Sequence, residues 1–201
     1  MFTIDVDAVG IYECMLVSPA ENVVSKLVAY SQNDARWAQE IYASSLTFSK
    51  AGCLVSCVSM IVNTTYQKVI LPPEVASNLK AAGAFVGDML SRPSRITNAY
   101  PKLSWDGVVH YRTVPANMEF ILKELNTYGY VIAELQWNPN GGSIITGNQH
   151  FVIITELTQD GDAVIIDPWD GETKTLLTSR YVLPNWTVAR TITGLRLIHP
   201  K

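Results

Sequence analysis

Two long stretches of the chain carry apolar residues in patterns typical of helices. Residues 53–62 are almost continuously apolar, which predicts a buried central helix that begins at Cys53. Apolar residues at helical spacing within 115–125 predict an amphipathic helix that ends near Gly129. Two further helices are predicted, one from Pro72 to Gly83 and a shorter one over 34–43 with Asp34 as its N-cap.

Runs of alternating or β-branched residues predict strands, and most of them follow the helices. We place these strands at 105–112, 130–136, 149–157, 162–167 and roughly 186–198, with looser alternation over 2–17. Helices followed by strands indicate an α+β fold rather than alternating βα units. No segment has the composition of a linker, so we expect one domain over 1–201, with 1–30 as extra N-terminal strands.

Composition and charge narrow the class of protein. The chain has 201 residues, of which 48% are apolar, so it can bury a sizeable core. The net charge is −3 and the basic residues are scattered, which argues against a nucleic-acid partner. We expect no membrane span and no signal peptide, because the apolar runs are short and the first residues are acidic. The sequence does not decide whether the protein is located in the cytoplasm or is associated with a virion.

The three cysteines are expected to be free thiols, since their number is odd and small. Cys53 follows Gly52 at a predicted helix start, where the helix dipole favours the reactive thiolate. Cys57 lies one turn deeper and is expected to be an inert core thiol, and Cys14 has no comparable context. No His/Cys pair follows at zinc-like spacing, so we expect neither a metal nor a cofactor.

A histidine and an aspartate at strand ends are candidate partners for Cys53. His150 opens the strand 149–157 after a loop rich in Gly, Asn and Pro, where an accessible base could be held. Asp167 ends the next strand, 17 residues later, where it could orient the imidazole. Cys53 and Asp167 also have ordinary structural explanations, as a buried small hydrophobe and as a turn aspartate before a proline. His110 is expected to be packed or at the surface, and His199 free in solvent.

Four motifs occur in the order Gln32-Asn-Asp34-x-x-Trp37, Gly52-Cys53, His150-Phe-Val and Asp167-Pro-Trp-x-Gly171. The chain resembles bacterial and phage peptidases similar to the bacteriocin-leader-processing cysteine peptidases, within the papain-like superfamily. The resemblance covers about three quarters of the chain, with a family-like core over 31–185.

The resemblance implies a fold and a set of roles. It implies a papain-like core, in which a central helix packs on an antiparallel sheet. Cys53, His150 and Asp167 would form a catalytic triad, and the Gln32 amide would stabilise the oxyanion together with the Cys53 backbone N–H. Trp37 and Trp169 match aromatic positions that are expected to serve in packing.

Three functions remain open from the sequence. The first is a cysteine peptidase acting on a peptide or protein substrate, and the second is a hydrolase of peptidoglycan peptides with the same triad. The third is an inactive binding or assembly module. Gln32 lies 21 residues before Cys53, a longer gap than in the leader-processing enzymes, so cleavage after a double-glycine leader is not implied.

Overall fold

A computed structural model describes residues 27–138, 143–147 and 149–201. Helices α1 to α4 precede the first strand, and α5 lies between the first two strands. The helices are α1 Phe48–Ala51, α2 Cys53–Tyr66, α3 Pro72–Ala81, α4 Ile96–Ala99, α5 Met118–Tyr128 and α6 Val188–Thr191, with a 3₁₀ turn at Pro93–Arg95. The strands are β1 Leu103–His110, β2 Val131–Leu135, β3 His150–Leu157, β4 Ala163–Asp167, β5 Glu172–Thr175 and β6 Ile192–Pro200.

The strands form one sheet in the order β1-β6-β2-β3-β4-β5, and all its neighbouring strands are antiparallel. The predicted α+β class is therefore confirmed at this level. Strands β3 and β4 are hairpin neighbours, with Ile153 opposite Ile166. The start of β3 and the end of β4 consequently lie at the same end of the sheet.

The apolar helix α2 covers one face of the sheet. Its side chains form a core with α3 and with sheet residues that include Ile132 and Ile153. The other face packs against α5, through Ile121 and Leu125. Because both faces are covered, every residue of β2 is buried, which explains its unbroken apolar character around a single glutamate.

The segment after Asp34 is a correction to the sequence analysis. A helix is predicted over 34–43, but the structure has turns there. The Asp34 carbonyl accepts from Ala38, giving one helical turn, but the carbonyls of Ala38 and Glu40 then accept from Ser49 and Phe48. Long-range partners therefore replace the hydrogen bonds that would have continued the helix.

The C-terminal half holds two smaller differences. The strand predicted from 186 starts only at Ile192, because the Thr187 side chain caps the helical turn α6 by accepting from the Arg190 N–H. Strand β5 is not predicted, since Glu172–Thr175 is polar and lies at the sheet edge, where no apolar face is needed.

Two sequence expectations cannot be compared with the structure. The alternation over 2–17, read as strands, and Cys14 both lie outside the described residues. Among the helices that are described, none combines the length and the apolar character needed to cross a bilayer.

Candidate active site

Cys53 occupies the first position of α2, directly after a tight junction with α1. Gly52 has helical dihedral angles, and its N–H donates to the Phe48 carbonyl at 2.7 Å. A Cβ at residue 52 would lie 2.7 Å from that same carbonyl oxygen, so glycine is needed here for close packing rather than for an unusual φ. The junction thereby presents Cys53 at a helix N-terminus, as predicted.

The two described cysteines have different surroundings. Cys53 is 5% exposed, its thiol reaches the Gln149 carbonyl at 3.5 Å, and it lies close enough to the His150 side chain to raise the pKa of that imidazole. Cys57 lies one turn deeper, with its sulfur 3.7 Å from the Phe151 carbonyl. Burial raises the pKa of Cys57 well above its usual value. Cys57 is therefore an inert core thiol, as expected.

His150 and Asp167 meet at the shared end of β3 and β4. The His150 Nε2 lies 2.9 Å from Asp167 Oδ1, which leaves Nδ1 as the ring nitrogen available to Cys53. His150 is only 2% exposed, so the expectation of an accessible histidine is wrong. The structure thus brings the three residues of the predicted triad together, in a buried setting.

Burial and hydrogen bonding act in opposite directions on this pair. Burial lowers the pKa of His150, but hydrogen bonds with Asp167 and Cys53, and their charges, raise it to about 9. Burial raises the pKa of Asp167, but His150 and the Trp169 N–H lower it to about 2. Both groups are therefore charged at neutral pH, and an imidazolium ion lies beside Cys53.

Tyr181 is a part of the site that sequence reasoning missed. Its hydroxyl lies 2.9 Å from His150 Nε2 and donates to Asp167 Oδ2 at 2.9 Å. Its ring stacks on the imidazole, with centroids 4.8 Å apart. Lys174 also lies 3.4 Å from Asp167 Oδ2. Nothing in the sequence around Tyr181 indicates this role, because its partners are distant in the chain.

A buried ion pair supports the residue that precedes His150. Glu134 on β2 pairs with Arg196 on β6 at 3.2 Å, and the Gln149 side chain donates to Glu134 at 3.0 Å. This contact holds the Gln149 backbone, whose carbonyl faces the Cys53 thiol. A usable signal was present in the sequence, since a charged residue inside an apolar strand is rarely buried without a partner.

Gln32 contacts both the segment that precedes Cys53 and the segment that follows Asp167. Its side-chain Nε2 donates to the Ser49 carbonyl at 2.8 Å, and its backbone N–H donates to the Pro168 carbonyl at 2.6 Å. Gln32 Oε1 is buried without a hydrogen-bond partner. One amide hydrogen is therefore engaged, and the other remains for a further acceptor.

The motifs at 32–37 and 167–171 dock directly on each other. The Trp169 carbonyl accepts from Asn33 Nδ2 at 2.7 Å, and a Cβ at Gly171 would lie 3.2 Å from the Ser31 nitrogen. Trp37 is buried against Tyr30, as expected of a packing residue. Trp169 is partly exposed, with the Arg180 guanidinium 4.4 Å above its ring.

Among the described residues, no cluster of His, Cys, Asp or Glu side chains is arranged to hold a metal ion. No protein-family model matches the chain, and no curated protein matches it either. The geometry of the site is therefore what indicates a function.

Proposed function

We propose that this chain is a cysteine-type peptidase, with a papain-like arrangement of Cys53, His150, Asp167 and Gln32. The observation that carries the proposal is a buried histidine whose one ring nitrogen is held by a carboxylate and whose side chain contacts a thiol at a helix N-terminus. This combination activates a thiol for attack on a carbonyl. A packed structural cysteine would need none of these partners.

The reaction follows from the charges of the site. The Cys53 sulfur attacks the amide carbonyl carbon, and His150 then donates its proton to the leaving amine as the carbon–nitrogen bond breaks. A water molecule, deprotonated by His150, attacks the resulting thioester and releases the carboxylic acid and the free thiol. Asp167 keeps the imidazole oriented and stabilises its positive charge throughout.

The negative oxygen of the tetrahedral intermediate needs donors. The Cys53 N–H is at the first position of α2, where backbone N–H groups lack intrahelical partners. The free hydrogen of the Gln32 amide would be the second donor, since that side chain is anchored four residues before Cys53 by the Ser49 carbonyl. Two such donors are a common form of oxyanion stabilisation.

The test compares two cysteines of the same helix. Cys53→Ala and His150→Gln should reduce hydrolysis of unfolded proteins by a factor on the order of 10³ or more, whereas Cys57→Ala should keep it. Brief iodoacetamide treatment at about pH 6, followed by peptide mapping, should label Cys53 before Cys57 and Cys14. Circular dichroism would confirm that each variant is folded.

Peptidoglycan peptides in the same assay separate the two substrate classes. If the protein cleaves peptidoglycan peptides but not proteins, and this cleavage depends on Cys53, the proposed function becomes that of a peptidoglycan hydrolase with the same chemistry. Full hydrolysis by His150→Gln, or equal labelling of Cys53 and Cys57, would contradict the catalytic assignment itself.

A further inference from the structure

Cys53 also lies at the edge of a cleft of about 310 Å³. Its lining includes Leu54 of α2 and Phe151 of β3, and a wall formed by Leu46, Phe85 and Met89. This volume is at the small end of the range for ligand sites, so the cleft suits one or two side chains rather than a large cofactor.

This wall is a β-hairpin tip fixed to a loop. Val86 and Met89 exchange backbone hydrogen bonds of 2.9 and 3.2 Å, and Gly87 has a φ of 60° at the first central position of the two-residue turn. The second central residue, Asp88, turns its carboxylate towards the loop 44–46.

Asp88 clamps that loop to the hairpin. Its Oδ1 accepts from the backbone N–H groups of Ser44, Ser45 and Leu46 at 2.8, 2.8 and 3.1 Å, and its Oδ2 accepts from the Ser45 hydroxyl at 2.6 Å. The Tyr42 hydroxyl donates to the Asp88 carbonyl as well. The wall is therefore held in place before any substrate binds.

The cleft offers no free charge among the described residues that line it. Asp88 is the only charged side chain of that set, and both of its oxygens are occupied by donors of the protein. The Ser45 hydroxyl and the backbone N–H groups lower the pKa of Asp88, so the clamp persists at neutral pH. An acidic or basic guest would lose hydration without gaining an open partner.

We propose that this cleft is the specificity subsite of the site at Cys53, that it takes a bulky apolar side chain of an extended peptide beside the scissile bond, and that Asp88 is the residue that positions its wall. The proposal depends on the proposed peptidase function. A small side chain would leave part of the apolar lining without contacts, and a bulky one would fill more of the volume. The substrate class is thus a peptide with a residue such as Leu, Phe or Met at this position.

Peptidyl chloromethyl ketones test this directly, because the Cys53 sulfur displaces chloride and forms a stable thioether. Two sets of probes are used, each varying one residue among Leu, Phe, Ala, Lys and Asp, either next to the ketone or one residue further away. In at least one set, the Leu and Phe probes should label Cys53 on the order of tenfold faster than the others. Iodoacetamide, which fills no side-chain subsite, measures the reactivity of Cys53 itself.

The outcomes separate the two proposals. If Cys53 reacts selectively with iodoacetamide but all probes in both sets react alike, or Lys or Asp probes react fastest, the subsite proposal is wrong and the nucleophile stands. If Cys53 reacts with neither reagent faster than Cys57 does, the proposed peptidase function fails.

Variants of the wall complete the test. Asp88→Ala should reduce the Leu-to-Ala rate ratio about tenfold, because the unclamped wall no longer holds its shape. Met89→Glu, at a position that is 56% exposed and so tolerant of charge, should slow the Leu probe and speed the Lys probe. The exposed Asp160→Ala is the matched control and should leave the ratio unchanged. An unchanged ratio in both wall variants would overturn the role of this wall.

Discussion

Tyr181 shows how one hydroxyl can organise a catalytic pair. It contacts the imidazole by stacking and by its hydroxyl, and it donates to the carboxylate oxygen that His150 does not use. Burial and the charge of Asp167 raise the pKa of Tyr181, so the hydroxyl stays protonated and continues to donate. Tyr181 therefore acts as a positioning residue, through Asp167 and His150.

Removing that hydroxyl should change both rate and pH dependence. His150 must be protonated to assist the leaving amine, so kcat/KM should fall as the pH rises through about 9. In Tyr181→Phe, kcat/KM should drop roughly tenfold, and the alkaline fall should move to higher pH, because Asp167 loses a competing donor and attracts the imidazolium more strongly.

A pH–rate profile on a peptide substrate would measure both effects. Tyr66→Phe is the matched control, since its hydroxyl accepts from the Lys102 N–H away from the site. If kcat/KM of Tyr181→Phe equals that of the unmodified protein and falls at the same alkaline pH, the positioning role is wrong.

Gln32 can be tested through the step that its amide would assist. Gln32→Ala should lower kcat by roughly 10²–10³ with a smaller effect on KM, since the donor acts once charge develops on the oxygen. Labelling of Cys53 by iodoacetamide should survive, because alkylation builds no oxyanion. Asn33→Ala, which removes an exposed amide from the same docked segment, is the control for steady-state kinetics. An unchanged kcat in Gln32→Ala would remove Gln32 from the site.

Three structural elements are joined by a histidine that sequence analysis placed in solvent. His199 on β6 is 3% exposed, and its Nδ1 lies 2.7 Å from Asp106 of β1. Its Nε2 lies 2.8 Å from Glu124 of α5, and Tyr128 of the same helix stacks on its ring at 3.7 Å. The expectation of a free C-terminal histidine is therefore wrong, because the last strand returns it to the sheet.

This junction should matter for stability and not for turnover. It lies at the end of the sheet opposite His150, since His150 pairs with Leu135 and β6 runs from Leu135 towards the start of β2. His199→Gln should lower the free energy of unfolding by about 2 kcal/mol, because two carboxylates lose their partner.

Urea unfolding would measure the loss, with the exposed His110→Gln as control. Equal unfolding midpoints for the two variants, or a loss of kcat/KM in His199→Gln, would contradict a purely structural role.

At the scale of the whole molecule, the site forms where two cores meet at one end of the sheet. Because side chains alternate along a strand, His150 lies on the same face of the sheet as Val152, and Asp167 on the same face as Ile165. The side chains of Val152 and Ile165 belong to the core on the α5 side. Cys53 belongs to the core on the α2 side. The groups can meet only because His150 starts its strand and Asp167 ends the neighbouring one, where side chains from both faces converge.

Much of this arrangement was predictable from residue patterns. The start of α2 at Cys53, the ends of α3 and α5 at or near glycines, and the pairing of β3 with β4 are set by periodicity, caps and short connections. Cys53, His150 and Asp167 were identified because each lies at the end of such an element. Their catalytic role stays a prediction until the variants above are measured.

The residue pattern therefore indicates local features: which segments bury an apolar face, where they begin and end, and which reactive side chains lie at those ends. Only the folded chain shows the turns after Asp34, the burial of His150, the contacts of Tyr181 and the return of His199 to the sheet. Each of these depends on partners far away in the chain. A local helix preference amounts to a fraction of a kcal/mol per residue, roughly, and long-range hydrogen bonds and burial readily outweigh it.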